Sequence, residues 1–554
     1  MMWSIHWTLP QEYREGVLYT ACREGEEVLS LRGEQQGVKV RQYTRQADKT
    51  CCYELYSPVW PREAVLEWRE ACVALYADGQ LADEDWPLGQ TADRPWQEQG
   101  ELVAHWQQGV EAHPEQESSF SGPIQFFVPS GHNTGVGDCM PFFRNGRYCL
   151  YYLFDRRGHA SKGGLGAHQW AQISSGDLKT WTVHPMALSI DEQWEGSICT
   201  GSLLESKGLF YAFYAVRMSD GSPARLSWAV STDGVHFEKS GRYFSLKEPF
   251  EPRSARDPMV FFGADGQYHM LVTTSRMDRP GPYNGCLAHL TSLDLENWTQ
   301  QKAPFIEPGY PGQPECADYF EWNGWYYLVF SYYATAYYRI SRHPFGPWQR
   351  PAQDVLDNRH VSVPKTAPFG DRRLVSGFMR RDGYRGYAGL AITHELFQRP
   401  DGTLGVRQCE EILPCYAARE QIDCRVEALQ ERAQKLLFSA KCFRLKGQLI
   451  PSENAMFGLV LSLGEQAMTL RFDAGRCLLD LLSLGQEYPD NYRQRLSGLD
   501  FARLEFDLVV GERAIDLVFS DGNSMSMPLP AHEQVQVSLF AHWGEVEARL
   551  TCLR

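Results

Sequence analysis

The sequence predicts an all-β fold, with a five-bladed β-propeller at its centre, a C-terminal β-sandwich and an additional N-terminal β module. Three observations predict it. The middle of the chain repeats itself five times. The composition favours strands, with 16 Trp, 27 Tyr and 28 Phe among 554 residues, because aromatic side chains suit pleated, half-buried surfaces. Turn signals continue on both sides of the repeats, without the repeat itself.

The first unit begins Asn145-Gly146-Arg147-Tyr148, runs through an apolar strand to Leu153, and ends Ser175-Gly176-Asp177-Leu178-Lys179-Thr180-Trp181. The second begins Lys207-Gly208-Leu209-Phe210-Tyr211 and ends Ser231-Thr232-Asp233-Gly234-Val235-His236-Phe237. The third begins Asp265-Gly266-Gln267-Tyr268 and ends Ser292-Leu293-Asp294-Leu295-Glu296-Asn297-Trp298. The fourth runs from Asn323-Gly324-Trp325 to Gly346-Pro347-Trp348, and a weaker fifth starts near Gly370-Asp371-Arg372 and includes Leu390-Ala391-Ile392. Asn-Gly and Asp-Gly supply the positive φ values of a tight hairpin. The Ser-x-Asp-x-x-x-aromatic ending reads as a second turn, in which the Asp side chain bonds nearby amides and the aromatic ring packs between sheets. A period of roughly 55 to 65 residues holds a four-stranded blade with its loops.

The flanks complete the plan. A chain of this length exceeds one ordinary core. Residues 1–120 hold short strand-like pieces and turns such as Ala77-Asp78-Gly79, and are expected to form a second β module or to pair with the C-terminal one. Residues 121–415 are expected to form the propeller. Residues 420–554 are again β-rich, at Ala455 to Leu463, Arg503 to Val510 and Ala514 to Phe519, the last leading into Ser520-Asp521-Gly522-Asn523. Ile422, Val426, Leu429 and Leu436 keep a near-helical spacing, which predicts a short connecting helix.

Composition excludes several classes. The net charge is -15 and no basic block stands out, so a nucleic-acid partner is not expected. No stretch approaches the ~20 apolar residues of a membrane span. Met1 to Pro10 has no basic start, apolar run or cleavage site. The 15 cysteines are odd in number and scattered, which fits reduced thiols in a cytoplasm and offers no zinc spacing. Gly163-Gly164-Leu165-Gly166, flanked by His159 and His168, lacks the lysine of a phosphate loop and the dinucleotide pattern, and reads as a turn. No GxSxG elbow occurs. No cofactor is implied.

Carboxylates are the candidate chemistry. A site at the axis of a propeller must draw residues from several blades. Asp138, Asp257 and Glu315 lie eight, nine and nine residues ahead of the turn glycines Gly146, Gly266 and Gly324, which is expected to put them at one point of their blades. Like charges at close range push one pKa up, giving one carboxyl that donates a proton and another that stays ionised, as glycoside hydrolysis requires.

Arg256-Asp257-Pro258 and Glu315-Cys316, in that order, resemble the Arg-Asp-Pro and Glu-Cys motifs of glycoside hydrolase family 32, the invertases, inulinases and levanases. Cys199-Thr200-Gly201-Ser202 is similar to its Phe-Ser-Gly-Ser segment. Trp170-Ala171-Gln172-Ile173, followed by Asp177-Leu178 and Trp181, is similar to its Trp-Gly-His-Ala segment. The resemblance covers roughly residues 125 to 415. It implies that Asp138 is the nucleophile, Glu315 the acid/base, Asp257 the group that holds sugar hydroxyls, and Arg256 the cation that orients a carboxylate. It also implies net retention on β-fructofuranosides such as sucrose or short fructo-oligosaccharides. Thr200, Trp170, Trp194 and Glu195 are the further candidates for substrate contact, the two tryptophans by stacking. The chain departs from the family pattern at Gly137, where an Asn precedes the nucleophile, near Leu153, which replaces a Gln, and at Gln172, which replaces a His. These positions shape the sugar pocket. Two other readings remain open: an inverting arabinofuranosidase or xylosidase of the related family 43 propeller, and a non-catalytic carbohydrate-binding propeller. A transferase would use the same residues.

Overall fold

The computed structural model describes residues 3–46, 49–87, 96–109, 117–159, 164–279, 281–382, 385–429, 431–484, 492–495 and 499–554. Gly163, in the glycine-rich stretch, lies outside them, while Gly164 and Gly166 adopt positive φ as a turn requires. No helix among the described residues is long and apolar enough to cross a membrane.

Five antiparallel sheets follow one another through the middle of the chain. Blade I has its innermost strand at Thr134–Arg144, then Arg147–Arg156, Gln169–Ser175 and Thr180–Val183, with Ser118–Ser121 added outermost. Blade II is Glu195–Ser206, Leu209–Met218, Arg225–Ser231 and Glu238–Phe244. Blade III is Arg256–Phe262, Tyr268–Ser275, Gly285–Ser292 and Thr299–Gln300, and blade IV is Glu315–Trp322, Trp325–Tyr332 and Thr335–Ser341. Blade V is Ser362–Phe369, Arg372–Asp382, Arg385–Gln398 and Leu404–Arg407, and one bridge, Val136 to Gly389, joins it to blade I.

The packing closes the ring, because an apolar cluster lies between every pair of neighbouring blades. Tyr151 and Ala212 share one between I and II. Phe213 and Met270 share the next, then Leu271 with Phe330, Val329 with Leu396, and finally Leu150 with Phe378 between V and I. The repeated aromatic residue does the same job four times. Trp181 packs at the I–V interface, Phe237 at I–II, Trp298 at II–III and Trp348 at III–IV. Its partner motif is equally regular: Oδ1 of Asp177, Asp233 and Asp294 each accepts two backbone N–H bonds from the residues that follow.

The N-terminal strands make two five-stranded sheets of their own around Trp7, Leu31, Val40 and Leu66, and among the described residues they do not pair with the C-terminal strands. They meet the propeller through Val65, Tyr76 and Trp86, which join the cluster between blades I and II, and through Arg157, which pairs with Asp83 at 2.7 Å. The C-terminal strands form a sandwich in which the 19-residue strand Val535–Leu553 passes through both sheets. The connecting helix predicted from Ile422, Val426, Leu429 and Leu436 does not form. These residues fall in and around the strands Arg419–Ala428 and Ala433–Ala440. Ile422 and Val426 are buried while Leu429 and Leu436 are exposed. A spacing of four is two strand periods as well as roughly one helical turn, so this pair could not tell them apart.

Candidate active site

The axis is built by the same irregularity five times over. In each innermost strand one extra residue is inserted against its neighbour, between Val136 and Cys139, Ile198 and Gly201, Arg256 and Met259, Glu315 and Asp318, and Ser362 and Lys365. Such a bulge bends the strand and re-aims a side chain. The first bulged residue takes a left-handed conformation in three blades: Asp257 (φ 54°), Cys316 (φ 52°) and Val363 (φ 42°). Non-glycine residues rarely adopt it, and its cost is concentrated at functional sites.

These bulges refine the sequence expectation. Asp257 is the first bulged residue of its blade, Asp138 the second, and Glu315 immediately precedes its bulge. The three are therefore not equivalent, but they line one cavity of about 280 Å³ with Thr200, Arg256, Cys316 and Tyr387.

Asp138 is held from three other blades. On Oδ1 it accepts the Tyr387 hydroxyl at 2.6 Å. On Oδ2 it accepts the Thr200 hydroxyl, and the Cys316 thiol lies 3.3 Å from the same oxygen. Asp257 is buried, and its Oδ2 accepts the Cys316 backbone N–H at 2.9 Å. Burial pushes the Asp257 carboxyl above the usual range. The Arg256 cation opposes that shift and the Asp138 carboxylate adds to it. Arg256 donates to Glu315 Oε1 at 2.8 Å, and its Nε lies 3.7 Å from Asp257 Oδ2, so one guanidinium orients two carboxylates. Behind them, Asp318 accepts the Thr366 N–H and hydroxyl, and the buried Lys365 donates to the Gly201 carbonyl at 2.8 Å, tying blade V to blades IV and II.

The geometry gathers Asp138, Asp257, Glu315, Arg256 and Thr200, and leaves out three other candidates. Trp170 is fully buried between blades I and II, where its indole N–H bonds the Cys199 carbonyl at 2.9 Å, so it presents no face to a sugar. Trp194 lies outside the cavity against Arg225, 4.5 Å from its ring. Glu195 is buried and paired with Lys239 at 2.8 Å, and it accepts the Asp191 and Glu192 amides. It is a loop anchor. Sequence reasoning missed Arg217, Tyr333, Arg380 and Tyr387. Arg380 and Tyr387 come from one hairpin of blade V, and Tyr333 from a hairpin tip of blade IV, positions that carry no offset from the turn glycines.

Comparison with known proteins agrees with this architecture. The family model described as the glycosyl hydrolases family 32 N-terminal domain matches residues 140–344. Sucrose-6-phosphate hydrolase of Escherichia coli is 27% identical over 448 residues, 72% of this chain and 88% of that protein. Among solved structures, fructan 1-exohydrolase IIa of Cichorium intybus superposes with a TM-score of 0.64 at 14% identity, covering 78% of this chain and 97% of that one. Sucrose-6-phosphate hydrolase of Lactobacillus gasseri gives 0.62 at 17%, covering 78% and 93%. The structural likeness fixes the fold. The family model falls on the blades that carry Arg256, Asp257 and Glu315, and the Escherichia coli relative extends the match over most of both proteins, which together support a member of glycoside hydrolase family 32.

Proposed function

We propose that the chain hydrolyses β-fructofuranosides with net retention, through a covalent fructosyl intermediate on Asp138. The observation that carries this reading is the convergence of Asp138, Asp257 and Glu315, from three blades, on one cavity. That cavity is small beside the ~300–1,000 Å³ of drug-sized sites, which suits a single sugar ring. A carboxylate of Asp138 attacks the anomeric carbon while Glu315 protonates the departing glycosidic oxygen. Glu315 then takes a proton from water, which displaces Asp138 and releases fructose. Asp257 accepts sugar hydroxyls whose bonds tighten as positive charge grows on the ring, and Arg256 holds Glu315 in place.

Purified protein supplied with sucrose, 1-kestose or inulin is expected to release fructose, and methanol as acceptor should give the retained methyl fructoside. Glu315→Gln should lower kcat by about 10²- to 10⁴-fold. Inverted methyl fructoside would favour the family 43 type of mechanism. Absence of fructose from every substrate would leave only carbohydrate binding.

A specific observation favours a phosphorylated substrate. Arg217 and Arg380 line the cavity and neither has an ion-pair partner among the described residues. The Arg380 Nε is buried without a hydrogen bond. A dianionic phosphate on the leaving sugar would satisfy both guanidinium groups, which bind phosphate in bidentate fashion. Sucrose phosphorylated at the glucosyl 6-position is the probe, chosen because the curated relatives carry that name. Its kcat/KM should exceed that of sucrose by about 10- to 100-fold, and Arg217→Ala/Arg380→Ala should erase the difference. Equal turnover of both sugars by the parent removes this reading.

A further inference from the structure

We infer that Tyr387 is a positioning residue for the nucleophile, reaching Asp138 from the far side of the ring closure through space left by Gly137. The inference rests on the role proposed for Asp138. Its grounds are geometric.

The Tyr387 hydroxyl makes two contacts with one residue. It donates to Asp138 Oδ1 at 2.6 Å and receives the Asp138 backbone N–H at 3.0 Å. A phenol has one proton to give. With the amide occupying a lone pair, that proton is directed to the carboxylate. Backbone and side chain of the same aspartate are thus clamped by one atom. Burial, and then the Asp138 charge, push the Tyr387 hydroxyl well above its usual pKa, so it keeps the proton it donates.

Gly137 is what admits the ring. A Cβ at this position would fall 2.6 Å from the Tyr387 Oη, 2.8 Å from its Cε1 and 3.0 Å from the Leu153 Cβ. Those separations lie well inside contact distance, so any side chain at 137 displaces the phenol. The glycine's own φ is not in the left-handed region, so the backbone does not require glycine there. Close approach by Tyr387 does. The ring is fixed on its other sides by Phe378 (5.2 Å between centroids) and His168 (4.7 Å). Tyr387 stands near the Val136–Gly389 bridge that joins blade V to blade I, so the closure of the propeller and the aim of Asp138 share a structural element. Gly137 is also where the chain departs from the family's nucleophile segment, and the family match begins at residue 140, beyond it.

Two measurements test this. Tyr387→Phe keeps the ring and removes only the hydroxyl. It should lower kcat for the best fructoside by about 10- to 100-fold, the scale of one hydrogen bond to a charged group, with KM altered by less than about threefold and the melting temperature little changed. A kcat within about twofold of the parent overturns the inference. The second measurement needs no activity. Thermal stability is compared for Gly137→Ala, Tyr387→Ala and the double variant. Gly137→Ala should destabilise the parent and be nearly neutral once Tyr387 is truncated, because the two changes compete for one space. Additive effects overturn the inference. If the parent releases no fructose, the hydrolase reading fails by itself, and the stability cycle still decides whether Tyr387 occupies the space at Gly137.

Discussion

Asp257 carries two conflicts at once: a left-handed backbone at φ 54° and a carboxyl on a residue that is only 3% exposed. Burial raises its pKa, and Arg256 does not fully offset that. A carboxyl whose folded pKa is raised binds its proton more tightly folded than unfolded. Its contribution is therefore best below the unfolded value of ~3.9 and is lost as pH rises through the folded value. At pH 7 the ionised group works against the fold. Asp257→Asn, which keeps the shape and cannot ionise, is expected to stabilise the protein by about 1 kcal/mol at pH 7 and by less at pH 4. It should also lower fructoside turnover by about 10²- to 10³-fold, the scale of losing one transition-state hydrogen-bonding group. Denaturant titration at the two pH values, alongside initial rates, checks both halves. A variant less stable than the parent at pH 7 would overturn the first half, and unchanged turnover would overturn the second.

The blades show how far sequence reached and where it stopped. The turns were legible because they are local: Asn145-Gly146 and Asn323-Gly324 adopt the positive φ pairs that their residue types predict. Ser175-Gly176-Asp177 binds its own following amides, and the Asp177 carboxyl is lowered to about 2 by the Thr180 and Lys179 N–H groups. The spacing from those turns back to Asp138, Asp257 and Glu315 located the axis to within a residue. It could not go further, because a bulge reverses the in-out phase of a strand, and no residue type in the sequence marks where the extra residue enters. That is why the three carboxylates looked equivalent and occupy three successive steps of the bulge. Trp170 illustrates the complementary failure. Its motif was identified, but whether an aromatic in a strand faces a sugar or the next blade depends on the neighbouring sheet, and here Tyr214 packs against it at 6.4 Å. Tyr387 and Arg380 were invisible for a third reason. They reach the cavity from a hairpin whose distance from it along the chain is set by tertiary closure alone.

At the scale of the whole molecule, propeller and sandwich are joined by a buried charge cluster. His394 of blade V donates to Asp357 Oδ2 at 2.6 Å through Nδ1 and to Asp516 Oδ2 at 2.8 Å through Nε2, and Asp516 lies on the sandwich strand Ala514–Phe519. Gln125, Gln408 and Ser526 complete the bonds to Asp516, and Ser524 bonds Asp357. Burial alone would discharge His394, but the two carboxylates hold it protonated, far above its usual pKa. Asp516 is lowered in turn, the His394 cation overcoming the effect of burial. The signs fix a window. The Asp516 contribution is present above the unfolded ~3.9 and lost as pH falls through its lowered folded value. The His394 contribution is full below the unfolded ~6.5 and lost as pH rises through its raised folded value. Both operate between about pH 4 and 6.5. His394→Gln, which cannot carry the charge, leaves two buried carboxylates facing each other, and at pH 6 it should cost about 3–5 kcal/mol. Calorimetry of parent and variant from pH 5 to 10 should show a deficit that is largest at pH 5–6.5 and narrows progressively as pH rises above it. Fructoside turnover at low temperature should persist, since His394 lies outside the cavity. A deficit independent of pH would mean that His394 acts through packing and not through charge, and a variant that melts with the parent at pH 6 would mean that the cluster does not hold the two domains together.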